Sequence, residues 1–327
     1  MRFHRQLARV ATRFAAGLLV AAGIASCGGG TYQVKAFVPA RLLSFGDENS
    51  LLVAPDGSKY SVNGINTSTN LVDCQVAPMW FQVLAASYNM VYPECNPAGD
   101  LAPAGHSYAA VGATLDDVTA QVNAFVTSDN FAADDLVTLY VGTNDLLQIY
   151  ATAFDGNQAD ILVQMHARGA QLGNLVNQIA GYGAKVLVLT IPDMADSPFA
   201  VKEQARGDFD RIALLSQMTD AFNRTMRSTI INDGSKIGLV LVDDFVHGAA
   251  RSPYAFGLSS YNIAACLETA PLPGCTTDAS DIAIDNSQTP PVASASSYLW
   301  ADDTHLGIVA QTQIGNQAVT RAHSNPF

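Results

Sequence analysis

The sequence predicts an α/β fold with a mostly parallel sheet, on three observations. Four short, nearly continuous apolar runs rich in Val, Leu and Ile have the composition of strands buried on both faces. Helical patterns fall between them, and strand–helix alternation is the signature of helices layered on a parallel sheet. The polar clusters able to carry chemistry follow strand ends or sit in late loops, where ligands of open α/β sheets lie.

The predicted strands are "RLLSFG" at 41–46, "DLVTLYVG" at 135–142, "AKVLVLTIP" at 184–192 and "IGLVLVDD" at 237–244, with a fifth around "GHSYAAVG" at 105–112. Three helices are expected between them. The first, 115–128, carries Leu115, Val118, Val122 and Phe125 at helical spacing. The second spans 159–183, with Gly183 as its C-cap, and the third spans 210–233. Residues 53–104 hold Pro55, Pro78, Pro93, Pro97 and Pro103, and 248–296 are rich in Pro and Ser. Both segments read as long excursions around the catalytic face, each stapled by cysteines. No linker separates a second domain, so 41–327 is expected to form one.

The N-terminus has a different character. "MRFHRQLARVATR" is basic and "FAAGLLVAAGIAS" is apolar, the n-region and h-region of an export signal over residues 1–26. Its end, Ile24-Ala25-Ser26-Cys27, resembles the lipobox of bacterial lipoproteins. That resemblance implies lipidation of Cys27 and an exported protein, periplasmic or anchored at the outer membrane, with 27–40 as lipidated Cys and flexible tether. Setting Cys27 aside leaves Cys74, Cys95, Cys266 and Cys275. An even remainder in an oxidising compartment reads as disulfides. Three pairings are possible, and the local ones, Cys74–Cys95 and Cys266–Cys275, close the shortest loops. The formal net charge is −12, from 17 basic and 29 acidic residues. That balance excludes nucleic-acid binding, which needs clustered Lys and Arg.

Hydrolysis of an ester by a serine needs an exposed nucleophile, a histidine base, a carboxylate to orient that base and donors for the oxyanion. "WADDTHLG" sets Asp302 three residues before His305 in a late loop. "YVGTNDLL" ends a strand with Asn144, whose side-chain amide can donate. "YAAVGATL" offers Gly112, whose backbone N–H can approach a substrate closely. Singly these are ordinary turn and surface patterns. Their order resembles the SGNH/GDSL hydrolase family, whose blocks are Gly-Asp-Ser, a Gly, Gly-x-Asn-Asp and Asp-x-x-His. "NLVNQIAGYGAKVLVLTIPDMADSPFA" and "YLWADDTHLG" also look like the corresponding segments of bacterial GDSL lipases, over roughly residues 41–320. The resemblance implies a three-layer α/β/α sandwich with a flavodoxin-like sheet, Gly112 and Asn144 in the oxyanion hole, and His305 with Asp302 as base and orienter. It also implies esterase or lipase activity on an ester, lipid or acetylated glycan, with no cofactor and no metal.

The departure falls on the first block, which reads "GDENS" here. Glu48 occupies the nucleophile position, and Ser50 matches only the second serine of Gly-Asp-Ser-Leu-Ser. Two residues along a starting helix turn a side chain by roughly 200°, so the expected role of Ser50 is a helix-start hydrogen bond, with nucleophile as the alternative. Flanked by Glu48 and Asp302, the His305 imidazole is expected to be held charged. Two functions follow: a hydrolase impaired at Glu48, or a non-catalytic envelope lipoprotein that binds an ester, lipid or glycan. His106 reads as structural or solvated and His166 as a helix residue, while His247 falls in a segment that looks like the strand-end loop of GDSL lipases, with no assigned chemistry; Trp80, Phe81 and Tyr92 read as core or pocket wall.

Overall fold

Five parallel strands form the central sheet: β1 (Arg41–Gly46), β2 (Gly105–Ser107), β3 (Asp135–Tyr140), β4 (Lys185–Leu189) and β5 (Ile237–Val240), in the order β2-β1-β3-β4-β5. This is the flavodoxin-like order, and its switch point lies where β1 sits between β2 and β3. The computed structural model describes residues 36–324. The expected signal peptide, Cys27 and the tether as far as residue 35 lie outside the described residues. Among the described residues, no helix is long and apolar enough to cross a membrane.

The apolar runs behave as strands buried on both faces. Leu42, Leu43 and Phe45 of β1 and every residue of β3 are buried. Register between β1 and β3 is fixed at the far end by Arg41, whose Nε and Nη2 each donate to the buried Asp135 carboxylate at 2.8 Å. Such a bidentate fork fixes geometry as well as charge.

The helices α1 (Trp80–Ser87), α2 (Leu115–Ser128), α3 (Thr143–Tyr150), α4 (Gln158–Gly181), α5 (Pro198–Gln204), α6 (Arg211–Thr229), α7 (Val242–Arg251) and α8 (Ile308–His323) flank the sheet. Because β1 to β2 runs one way across the sheet and β2 to β5 the other, right-handed crossovers put α1 on one face and α2, α4 and α6 on the opposite one. The chain is thus a three-layer α/β/α sandwich. Helix α4 lies against α6, and α1 against α8. Gly169 permits the first contact: a Cβ there would stand 2.3 Å from the Phe222 carbonyl oxygen.

Boundaries differ from expectation: the helices read at 159–183 and 210–233 end at Gly181 and Thr229, with Tyr182 rather than Gly183 as the C-cap of the first, and the strands read at 135–142 and 184–192 end at Tyr140 and Leu189. Two further differences bear on the site. The strand read at 237–244 ends at Val240, and Asp243 and Asp244 open α7 instead. Acidic side chains suit a helix N-terminus, and Thr190 Oγ1 accepts the Val242 amide and donates to Asp243. The strand read around 105–112 pairs regularly only to Ser107, yet Tyr108 N and Ala110 N still donate to Ser44 O and Gly46 O. That extension carries the chain along β1 and delivers Gly112 to the sheet's C-terminal edge.

The two Pro-rich excursions carry small two-stranded ribbons at 65–66/71–72 and 284–285/292–293, but 53–104 is not all loop: it also holds α1, whose Trp80, Phe81, Leu84 and Ala85 are buried. The cysteines pair locally, Cys74–Cys95 and Cys266–Cys275. Outside the main sheet, β6 (Ser260–Ala264) pairs in parallel with β7 (Tyr298–Trp300), which leads directly into Asp302 and His305.

Candidate active site

β1 ends at Gly46, and Asp47 caps a single 3-10 turn, Glu48–Ser50, by accepting the Asn49 amide at 3.0 Å. Trp80 Nε1 ties that turn to α1 by donating to Asn49 O at 2.9 Å. The turn aims Glu48 at the sheet's C-terminal edge, where the residue is almost wholly enclosed, at 6 % exposure. Oε1 lies 3.2 Å from His305 Nε2. Oε2 accepts the Gly112 amide at 2.7 Å, and Asn144 Nδ2 is 3.2 Å from both oxygens.

His305 is held on its other side by Asp302, at 2.9 and 2.8 Å from Nδ1 to the two oxygens. Asp302 Oδ1 also accepts the Thr304 and His305 amides, so the Asp-x-x-His turn closes on its own carboxylate. Asn144 stands in the first turn of α3, which starts at Gly142 with φ of +124°. A Cβ at Gly142 would lie 2.4 Å from the Phe222 ring, so glycine is required there both for conformation and for space.

The electrostatics follow from this geometry. Burial works against the His305 charge, but hydrogen bonds and Coulombic attraction from Asp302 and Glu48 outweigh it and raise the pKa to about 10. Burial also pushes Glu48 upward, yet the hydrogen bonds from His305 and Gly112 leave it below its ordinary value. Asp302 is likewise lowered, with burial outweighed by His305. Asp47 moves the other way, to about 7, through burial and then the neighbouring Glu48 charge. At neutral pH the array is therefore carboxylate–imidazolium–carboxylate, and its histidine has no free lone pair with which to accept a proton.

Glu48, His305, Asp302, Gly112 and Asn144 are thus brought together in one contact network. Ser50 is not part of the group. Its Oγ is fully buried without a hydrogen-bond partner, and the N-cap role read for it belongs to Asp47. No hydroxyl among the described residues bonds His305 Nε2; Thr304 Oγ1 contacts Nδ1 at 3.3 Å. Trp80, Phe81 and Tyr92 are core, and His166 bonds Thr225 between α4 and α6. Tyr60, which no motif in the sequence marks, also borders the site, its ring centre 5.7 Å from that of His305. Its loop is braced by Ser61 Oγ donating to Leu306 O and by the buried Lys59, whose ammonium serves three carbonyls, of Cys74, Val76 and Ala77. No periodic pattern marks that loop, although a lysine amid turn residues is a signal in retrospect. Beside Asp302 a cleft of about 610 Å³ is lined by Val201, Ile263 and Leu267, with Lys202 between Glu268 and Asp303.

A flavodoxin-like sheet with this cluster at its switch point places the chain in the SGNH class of ester hydrolases. A family model described as GDSL-like Lipase/Acylhydrolase matches residues 62–315, and the chain belongs to that family. Similar solved structures include an acetylxylan esterase from Geobacillus stearothermophilus in a catalytic-mutant form. That pair shows 13% identity and a TM-score of 0.48, covering 88% of this chain and 96% of that one. An extracellular lipase from Streptomyces rimosus shows 17% identity and a TM-score of 0.44, covering 87% and 99%. A lipase from a goat rumen metagenome shows 12% identity and a TM-score of 0.48, covering 86% and 97%. Comparison with curated protein sequences finds no match.

Proposed function

We propose that this chain is an esterase/lipase-type protein of the bacterial envelope whose serine chemistry is blocked at Glu48. One observation carries the reading: the Glu48 carboxylate accepts from Gly112, Asn144 and His305, the donors that a serine mechanism reserves for the oxyanion and the nucleophile. In that mechanism a hydroxyl attacks the ester carbonyl while neutral imidazole takes its proton. Here His305 is already protonated, Glu48 holds the hydroxyl's place, and the oxyanion donors are engaged. Asp302 keeps its role as orienter of His305.

The arrangement also favours a second reading, retention of the fold to bind an ester, a lipid or an acetylated glycan. The cleft beside Asp302, with apolar walls and a charged rim, supports a ligand of mixed character. Anchoring through a lipidated Cys27 is part of both readings; lipid labelling of the chain, lost in Cys27→Ser, is the expected result, and an unlabelled wild type would remove the anchor.

Turnover of a short-chain p-nitrophenyl ester by the domain after Cys27 tests the chemistry, with wild type, His305→Ala, Ser50→Ala and Glu48→Ser side by side. A near-silent wild type and activity in Glu48→Ser are expected. General base catalysis alone is worth about 10²–10⁴-fold, so the gain should be at least about 100-fold. Substantial wild-type turnover lost in His305→Ala would overturn the block and make this a working hydrolase.

A further inference from the structure

A second cluster of ionisable side chains lies behind the histidine loop, outside the array just described. Asp193 and Asp196 stand on the segment that follows β4, and His247 projects from α7. One ligand atom from each of the three falls within 4.8 Å of the others. We propose that Asp193, Asp196 and His247 form a binding site for a divalent transition cation of the zinc or manganese type.

Four features of the cluster argue for it. The donor set is mixed, an imidazole nitrogen with two carboxylates, which suits such ions better than magnesium or calcium. Asp196 Oδ2 and His247 Nδ1 are 3.4 Å apart. Two ligands of one zinc ion at bonds of about 2.1 Å stand roughly that far apart at a tetrahedral angle. Asp196 Oδ2 is buried, and its neighbour among the donors, His247 Nδ1 at 3.4 Å, is too long and poorly aligned for a good hydrogen bond. A buried acceptor so weakly held is costly, and a cation between the two atoms would satisfy it. Lastly, the Asp193 carboxylate is already oriented, Oδ1 by the Ala195 amide and Oδ2 by the Ser216 hydroxyl, as carboxylate ligands commonly are.

The charges facing the cluster are mixed. Asp220 adds negative field at Asp193, and Arg251 adds positive field at Asp196. His247 is about half exposed.

Such an ion would brace the histidine loop from behind. Trp300 Nε1 donates to the Asp196 carbonyl at 3.0 Å, and β7 runs from Trp300 into Asp302. Holding Asp196 therefore holds the strand that delivers Asp302 and His305. None of the three ligands contacts Glu48 or His305 in hydrogen-bonding geometry.

The test is zinc titration of the chelator-treated chain by calorimetry, with magnesium as the control and thermal melts alongside. One zinc per chain with micromolar affinity is expected, together with a higher melting temperature. His247→Ala, at a half-exposed position that leaves the fold intact, and Asp196→Asn should each weaken binding more than 10-fold. Absence of saturable one-to-one zinc binding by the wild type, or affinity unchanged in both variants, would overturn the site.

Discussion

Glu48 Oε2 lies 2.7 Å from the Gly112 amide nitrogen, inside a set of donors that also includes Asn144 and His305. A carboxylate so held has the shape and charge of a carboxylic acid product left in a hydrolase site. Shortening the side chain in Glu48→Ala should leave those donors unpaired and open to a small carboxylate from solution. With a Kd near 1 mM, about 100 mM acetate would stabilise the variant by about 2.7 kcal/mol. Thermal melts with and without acetate should show this shift in Glu48→Ala and none in the wild type. Equal shifts in both proteins would mean that the anion binds elsewhere.

The charged triad also predicts a pH dependence with a definite sign. His305 is raised from 6.5 to about 10 in the fold, so its contribution is complete below about pH 6.5 and is lost as pH climbs through 10. Asp47 acts in the same direction: pushed up to about 7, it holds its proton more tightly folded than unfolded, and stability falls as pH rises from 3.8 to 7. Glu48 and Asp302, both lowered, contribute above their ordinary values and lose that contribution as pH falls. Urea midpoints should therefore decline from pH 6.5 to 10. In Glu48→Gln, which keeps the side-chain shape without the charge, the decline should be shallower and the His305 ring resonances should titrate at lower pH. An unshifted His305 titration in that variant would remove Glu48 as a cause.

The central sheet was legible because strands buried on both faces need continuous apolar sequence, as β1, β3 and β4 show. The site blocks were legible because each follows a strand end. Less visible were features that depend on tertiary partners. Asp243 and Asp244 read as the tail of a strand until Thr190 and the start of α7 claim Asp243. Ser50 looks like a cap in sequence, but Asp47 reaches the Asn49 amide first. Tyr60 reaches His305 only because Lys59 and Ser61 pin its loop to distant carbonyls, a relationship that leaves no local pattern. The Asp193–Asp196–His247 cluster joins the short turn after β4 to helix α7, which are separate in sequence, and neither shows a metal spacing.

Gly142 is where the Asn144 side of the site is most sensitive to backbone change. Its φ of +124° disfavours any side chain, and the space a Cβ would need is held by Phe222. Gly142→Ala combines strain of about 1–3 kcal/mol with overpacking of similar size. A loss of about 3 kcal/mol or more in denaturant unfolding is expected. Because α3 begins here, the Asn144 side chain should move with it. In the Glu48→Ser background, Gly142→Ala should therefore lower ester turnover even in the fraction that remains folded. A loss under about 1 kcal/mol would mean that the turn relaxes without disturbing Phe222.

The two disulfides close loops of different length, with sequence separations of 21 and 9 residues. In the chain-entropy account, cross-links of these lengths stabilise by about 3.4 and 2.7 kcal/mol. Opening Cys74–Cys95 carries a further cost, because Lys59 donates to the Cys74 carbonyl and Gln82 Nε2 does the same. Lys59 is buried, with its pKa pulled down to about 8 by that burial, and depends on the carbonyls of 74–77 for its satisfaction. The Cys74→Ala/Cys95→Ala variant should thus lose more stability than Cys266→Ala/Cys275→Ala, by about 1 kcal/mol or more once the loosened lysine is included. The excess should grow as pH drops below 8, since the ammonium form is the one that needs the three carbonyls. Urea unfolding of both variants at pH 6 and pH 9 measures the difference, and an excess independent of pH would assign it to loop length alone.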